Sequence, residues 1–337
     1  MKLAFFELET WEKEFFQKKF KQHKLLFFSH ALSQRDISQI KECNGLIIFI
    51  YSKITAQIIQ KLPKLQFIAT MSTGYDHIAV DACKRRNIIV TNVPFYGENT
   101  VAEHTFGLIL SLSRKIPQSN DRTKLNNFSL DGLRGFDLQG KTLGIIGCGH
   151  IGQHVARIAK GFGMQLLVYD SFQDKKLAKK IGFHYVPLNK LLSNSDVITL
   201  HAPYNKQTHH LLNKNNFKYI KKGSYLINTA RGALLETAAL VKALESKQIA
   251  GAALDVLEGE CYIKEEKELL RAEFSKKCNV EDLKIIIEDQ LLLRMNNVII
   301  TPHNAFNSKE ALQRIVETTA ENITCFAQKK KQINRIK

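Results

Sequence analysis

Short apolar runs alternate with amphipathic stretches along nearly the whole chain, and this alternation constrains the fold more than any other feature. Runs at 3–8, 25–28, 46–51, 65–70 and 88–91 have strand length, with helical patterns between them such as 54–62, closed by Pro63. The pattern restarts with runs at 143–146, 166–169, 197–200, 225–228, 250–254 and 298–301, and a helix follows from Ile151. Strand and helix in strict alternation make a parallel sheet covered on both faces. Between the two series, Val101, Thr105, Leu108, Leu112 and Ile116 fall on one face of a helix over 99–117. The expected fold class is α/β: two doubly wound parallel-sheet, Rossmann-like domains joined by long helices. A last helix over 308–327 could return to the first domain.

Composition narrows the classes. A length of 337 residues allows two domains, each with its own core, and 44% hydrophobic with 24% charged residues excludes disorder. No apolar run reaches the ~18 residues that span a membrane. Glu7 comes too early for a secretory apolar region. Cys43, Cys83, Cys148, Cys261, Cys278 and Cys325 are scattered with no C-x-x-C pair, which predicts reduced thiols and a cytoplasmic location. Lys and Arg number 49 against 32 Asp and Glu, a net charge of +17. The lysines are dispersed except at Lys329-Lys330-Lys331, which favours a solvated surface over a nucleic-acid partner.

Gly147-Cys148-Gly149-His150-Ile151-Gly152 is a G-x-G-x-x-G motif placed between a strand and a helix. Gly147 allows the tight turn, Gly149 lets backbone approach a pyrophosphate, and Gly152 lets helix and strand pack closely. The next strand ends at Asp170, where a carboxylate can accept both ribose hydroxyls. Ser171-Phe172 offer no Arg for a 2′-phosphate, so NAD is expected over NADP. Cys148 and His150 read as spacers whose backbone matters.

Arg231, Glu260 and His303 each follow the end of a run in the second series, where ligands of open α/β sheets bind. Their chemistry is coherent. Arg is a planar fork for a carboxylate, His transfers protons near neutrality, and an acid beside it would stabilise and orient imidazolium.

The fingerprint with Asp170, Asn228-Thr229-Ala230-Arg231-Gly232, the Asp255…Glu260 stretch and Thr301-Pro302-His303-Asn304-Ala305-Phe306 resemble the D-isomer-specific 2-hydroxyacid dehydrogenases. So do Ser72-Thr73-Gly74-Tyr75-Asp76-His77 and Val101-Ala102-Glu103-His104. The resemblance implies a catalytic domain from 1–98 plus 305–337, with an NAD domain at 99–304, and homodimers formed through the NAD domains. It implies reversible NAD-dependent reduction of a small 2-keto acid to the D-2-hydroxy acid. Arg231 would bind substrate, His303 would be the acid/base, and Glu260 would support His303. Main-chain N–H groups at Thr73 and Gly74 would hold the substrate carboxylate. Thr100, His150, Ile151, Pro203, Thr208, Thr229, Ala230 and Asp255 join Gly147, Gly149, Gly152 and Asp170 on the cofactor side.

Val93-Pro94-Phe95-Tyr96 and His303-Asn304-Ala305-Phe306 resemble the D-lactate dehydrogenase branch, which puts Tyr96 and Phe306 at the substrate and makes pyruvate and D-lactate the expected pair. A charged segment, 261–293, departs from the Pro-rich stretch of glycerate and glyoxylate enzymes. The alternative is a non-catalytic NAD-sensing protein of corepressor type on the same fold. A formate dehydrogenase reading fails because that branch lacks Glu at the position of Glu260.

Overall fold

The computed structural model describes residues 1–260 and 280–336, which divide into two compact units. The first comprises Met1–Tyr96 with Asn307–Lys337, and the second Gly97–Phe306.

In the first unit, β1 (Lys2–Phe5), β2 (Lys24–Phe27), β3 (Gly45–Ile48), β4 (Phe67–Thr70) and β5 (Ile89–Thr91) form one parallel sheet in the order β2-β1-β3-β4-β5. Helices α1 (Thr10–Lys19), α2 (Ile37–Ile40), α3 (Ala56–Gln60) and α4 (Val80–Arg85) make the crossovers. Alternate strand residues feed opposite faces: Ala4, Leu46, Ile48 and Ile68 join one core with Ile58 and Ile59. On the other face Phe5 packs on Phe16 of α1. The run at 3–8 ends early as a strand because Glu7 has φ 63° and turns the chain. Its carboxylate then accepts the N–H groups of Phe49, Tyr51 and Ser52, fixing the loop after β3.

The second unit holds a longer parallel sheet: β6 (Thr142–Ile146), β7 (Gln165–Tyr169), β8 (His184–Tyr185), β9 (Val197–Leu200), β10 (Ser224–Asn228), β11 (Ile249–Leu254) and β12 (Val298–Ile300). Their order is β12-β11-β10-β9-β6-β7-β8. The order reverses between β6 and β9, and such a switch point opens a crevice at the carboxyl ends of the strands. The helices are α5 (Glu98–Arg114), α6 (Ile116–Lys124), α7 (His150–Gly161), α8 (Lys175–Ile181), α9 (Leu188–Asn194), α10 (Thr237–Glu245) and α11 (Val280–Arg294). Of the charged segment 261–293, residues 261–279 lie outside the described residues; α11 holds the rest.

The helix expected over 99–117 is two. Lys115 takes a left-handed conformation (φ 51°), and Ile116 opens α6 at 51% exposure instead of extending the buried face of Val101 and Leu108. Pro117 explains the break, since its ring would clash with the carbonyl four residues earlier. That carbonyl, of Ser113, accepts the N–H of Phe136 instead.

The last helix, α12 (Lys309–Ala327), is capped by Ser308, whose hydroxyl accepts the Ala311 N–H at 3.2 Å. It does belong to the first unit: Phe326 stacks on Phe67 of β4 with ring centroids 4.5 Å apart. The chain beyond it pairs with β5, through the Asn92 N–H to Asn334 and the Ile336 N–H to Val90.

Candidate active site

In the second unit the loop between β6 and α7 follows from its glycines. Gly147 has φ +91°, a backbone conformation costly for any residue with a Cβ. A Cβ there would also lie 2.7 Å from the His201 carbonyl carbon, so the loops after β6 and β9 abut at the switch point. A Cβ on Gly152 would strike the Gly147 carbonyl, so α7 presses directly on the turn. At Gly149, which caps α7, a Cβ would meet nothing within 4 Å. The open N-terminus of a twelve-residue helix over a tight glycine turn fits a pyrophosphate.

Asp170 stands beside this turn. Its Oδ2 accepts the Cys148 N–H at 2.6 Å and its Oδ1 the Phe172 N–H at 2.8 Å. A carboxylate has about four acceptor positions, so it retains capacity for a ribose diol. Burial first, then the Asp170 charge, pushes the Cys148 thiol up to about 11, so it stays protonated and inert. His150 pairs with Glu98, Nδ1 to Oε1 at 3.1 Å. Ile151 enters α7 half-buried. Pro203 and Thr208 bracket a closed loop: the Thr208 hydroxyl donates to the Pro203 carbonyl at 2.7 Å. Thr229 bonds Thr105 of α5 at 3.0 Å, and Thr100 sits on the same helix.

Asn228, fully buried at the end of β10, shapes the turn that carries Arg231. It accepts the Ala230 N–H at 3.0 Å and donates to the Arg231 carbonyl at 2.9 Å. Gly232 then packs without a side chain against the backbone of Leu257 and Glu258. Arg231 is half-buried, with Nη1 donating to the Ala230 carbonyl at 2.8 Å.

Two residues after Glu258 comes Glu260, whose oxygens lie 3.0 and 3.1 Å from Nδ1 of His303. A carboxylate there holds the Nδ1–H tautomer and leaves Nε2 to exchange a proton. His303 itself has φ +53°, unusual for a residue with a side chain. Asp255 braces the turn that follows: it accepts the N–H groups of Asn304 and Ala305 at 3.0 and 2.9 Å and the Thr301 hydroxyl at 2.5 Å. Burial alone would raise the Asp255 carboxyl. Bonds from His104, Thr301, Ala305 and Asn304 outweigh it and hold the group below the usual carboxylate range.

Thr73, Gly74 and Tyr96 belong to the first unit. Ser72 donates to the Gly74 carbonyl at 2.7 Å, Asn92 to the Thr73 carbonyl at 2.8 Å, and the Thr73 hydroxyl to Val93 at 2.9 Å. The Tyr96 carbonyl accepts Arg314 Nε of α12 at 2.7 Å. Phe306, half-buried, closes the second unit three residues after His303. Sequence reasoning assigned no role to Asn228, His104, His210, Glu258 or Asp289, all of which brace this site.

Comparison with known proteins shows the family. Residues 106–305 match the family model for the NAD binding domain of D-isomer specific 2-hydroxyacid dehydrogenases. A 2-hydroxyacid dehydrogenase homolog of Zymomonas mobilis is 36% identical over 332 residues, 96% of each chain. The D-lactate dehydrogenase of Escherichia coli is 35% identical over 331 residues, again 96% of each. A crystal structure of Aquifex aeolicus D-lactate dehydrogenase, complexed with NAD and lactic acid, superposes with a TM-score of 0.88 at 36% identity, covering 99% of this chain and 98% of that one. The chain belongs to the D-isomer specific 2-hydroxyacid dehydrogenase family and is an NAD-dependent oxidoreductase. Within the family it falls on the D-lactate dehydrogenase branch.

Proposed function

We propose that the chain reduces a small 2-keto acid, pyruvate foremost, to the D-2-hydroxy acid and runs the reverse reaction. The observation that carries this reading is the Glu260–His303 pair at 3.0 Å. The Arg231 guanidinium grips the substrate carboxylate in two-point geometry. His303 gives the Nε2 proton to the carbonyl oxygen during reduction and takes it from the hydroxyl during oxidation. Glu260 orients the ring through Nδ1 and stabilises the imidazolium. The nicotinamide dinucleotide, when bound, supplies the hydride for reduction.

Gly147, Gly149 and Gly152, with the α7 N-terminus at His150 and Ile151, cradle its pyrophosphate, and Asp170 takes the ribose. Pro203, Thr208, Thr229, Ala230 and Thr100 line the rest of the cofactor groove, while Asp255 braces the His303 turn. In this reading the first unit is the substrate domain, contributing Thr73, Gly74 and Tyr96, and Phe306 limits the substrate side chain. A homodimer through the second unit accounts for its exposed apolar residues Leu125, Phe128 and Leu130, 81, 77 and 82% exposed. The test is turnover with NADH across pyruvate, 2-ketobutyrate, 2-ketoisocaproate, phenylpyruvate, hydroxypyruvate and glyoxylate. Pyruvate or 2-ketobutyrate should lead. No turnover of any of them, or wild-type rates from His303→Ala, would defeat the reading.

A further inference from the structure

A second buried acid stands behind Glu260. Asp289 of α11 is fully buried, and its Oδ2 accepts the Gly259 N–H at 2.9 Å. Its Oδ1 is enclosed with no hydrogen-bond partner among the described residues. Burying a carboxyl group costs free energy, so its presence in the core calls for a compensating role. The contact has no slack: a Cβ on Gly259 would lie 2.8 Å from Oδ2 and 3.2 Å from Ile285.

The same turn is held one residue earlier by other elements. Glu258 receives His210 Nε2 at 2.5 Å on one oxygen, and on the other the Thr237 hydroxyl and N–H at 2.8 and 3.3 Å. The Glu260 N–H then closes back on the Leu257 carbonyl at 3.4 Å. Glu258 and Gly259 are thus anchored to different elements, and Glu260 is the next residue along.

We infer that Asp289 is a positioning residue for keto-acid reduction: by holding the Gly259 N–H, it fixes the turn that sets the Glu260 carboxylate against Nδ1 of His303. The inference rests on the reading of Glu260 and His303 given above. The role calls for an acceptor oxygen of this reach and does not depend on charge. Burial pushes the Asp289 carboxyl up to about 7, opposed by the Gly259 N–H and reinforced by Glu258, Glu288 and Glu260, the charged groups facing it among the described residues. Neutral or ionised, it still accepts from Gly259. Asparagine offers the same acceptor; alanine offers none.

The experiment compares Asp289→Ala with Asp289→Asn in the full-length enzyme, by steady-state pyruvate reduction with NADH, below the melting transition of each variant. Asp289→Ala should lower kcat about tenfold, the scale expected for a loosened catalytic group, with the KM for NADH nearly unchanged. Asp289→Asn should restore most of that loss. In a Glu260→Gln background, Asp289→Ala should cost nothing further, because the residue through which it acts is already lost. Wild-type kcat in Asp289→Ala overturns the inference. So does an equal loss in Asp289→Asn, which would mark an effect of charge, or an undiminished loss in the Glu260→Gln background. Should Asp289→Ala not fold, Gly259→Ala presses the same contact apart from the other side, and wild-type kcat there also overturns it. If Glu260→Gln and His303→Ala themselves keep wild-type rates, the acid/base reading falls and the inference with it. If they lose activity while Asp289→Ala does not, only the inference falls.

Discussion

The smallest perturbation that should disable the site without changing a polar side chain is Gly232→Ala. A Cβ at Gly232 would fall on the carbonyl of Leu257 and the nitrogen of Glu258, both backbone atoms. Neither side can give way cheaply. The Arg231 carbonyl is tied to Asn228 Nδ2 at 2.9 Å and to the Leu234 N–H at 3.2 Å. The opposing turn is tied through Glu258 to His210 and Thr237, and through Gly259 to Asp289. Ordinary carbon contact needs roughly 3.5–4 Å, so the two backbones must part by on the order of 1 Å. Overpacking of this kind costs about 1–3 kcal/mol, which for a unit of this size lowers the melting midpoint by roughly 2–12 °C. The functional loss should exceed the structural one, because Arg231 and Glu260 ride on the two backbones being separated. Misplacement by ~1 Å costs about 100-fold in rate, or about 2.7 kcal/mol of barrier. The assay is kcat/KM for pyruvate reduction, read beside NADH affinity by fluorescence and the melting midpoint. Keto-acid efficiency should fall about 100-fold while NADH affinity falls less, since Gly147–Gly152 and Asp170 lie on other loops and only Thr229 and Ala230 of the cofactor groove share the displaced one. Efficiency within about twofold of wild type, in a variant that melts normally, would refute the claim that Arg231 and Glu260 work as one constellation.

Arg231→Lys keeps the charge but loses the planar fork, and should cost at least about tenfold in keto-acid efficiency with NADH binding intact; near-normal efficiency would remove Arg231 from the site. Wild-type enzyme should prefer NADH strongly over NADPH, and Asp170→Ala should narrow that gap, because the carboxylate repels a 2′-phosphate; equal use of both cofactors by the wild type would contradict this. Stability should depend on pH through Glu12, buried at 6% exposure and pushed up to about 7 by burial first, with the Glu9 N–H opposing. Its folded pKa lies above its unfolded one, so the folded state binds the extra proton between about pH 4.5 and 7, and stability drains away as pH rises through that window. Glu12→Gln keeps an acceptor for the Glu9 N–H and should stabilise by on the order of 1–3 kcal/mol at pH 8 but little at pH 4. Melting curves at both pH values check this, and an equal shift at each would contradict it.

Most strands were legible because their residues obey a local rule. The runs around Leu46 and Leu226 are short and apolar because a doubly wound sheet buries both faces, so the pattern needs no knowledge of partners. His184–Tyr185 had no such pattern: an edge strand of two residues is defined by its pairing with β7 alone. The break at Lys115 was hidden for a different reason. Apolar spacing continued in phase through Ile116, and only the chemistry of Pro117, whose ring displaces a carbonyl that Phe136 then takes, divides α5 from α6.

The site divides along the same line. Arg231, Glu260 and His303 stood out as polar residues closing apolar runs, a local irregularity that invites a functional reading. Their braces are irregular only in three dimensions. Glu260 meets His303 across 43 residues, Glu258 meets His210 across 48, and Asp289 meets Gly259 across 30. One local trace existed: Asp289 stands between two apolar runs, Ile285-Ile286-Ile287 and Leu291-Leu292-Leu293, of one helix. Net charge pointed the other way, since a chain of +17 concentrates Glu258, Glu260, Glu288 and Asp289 around one turn. Like charges packed so closely resist joint ionisation, and both Glu288 and Asp289 are pushed up, burial leading in each case. Asp289, the most enclosed, is the one that can carry a proton near neutrality and still accept from Gly259. The turn can therefore set Glu260 against His303 without confining three further negative charges, those of Glu258, Glu288 and Asp289, behind it.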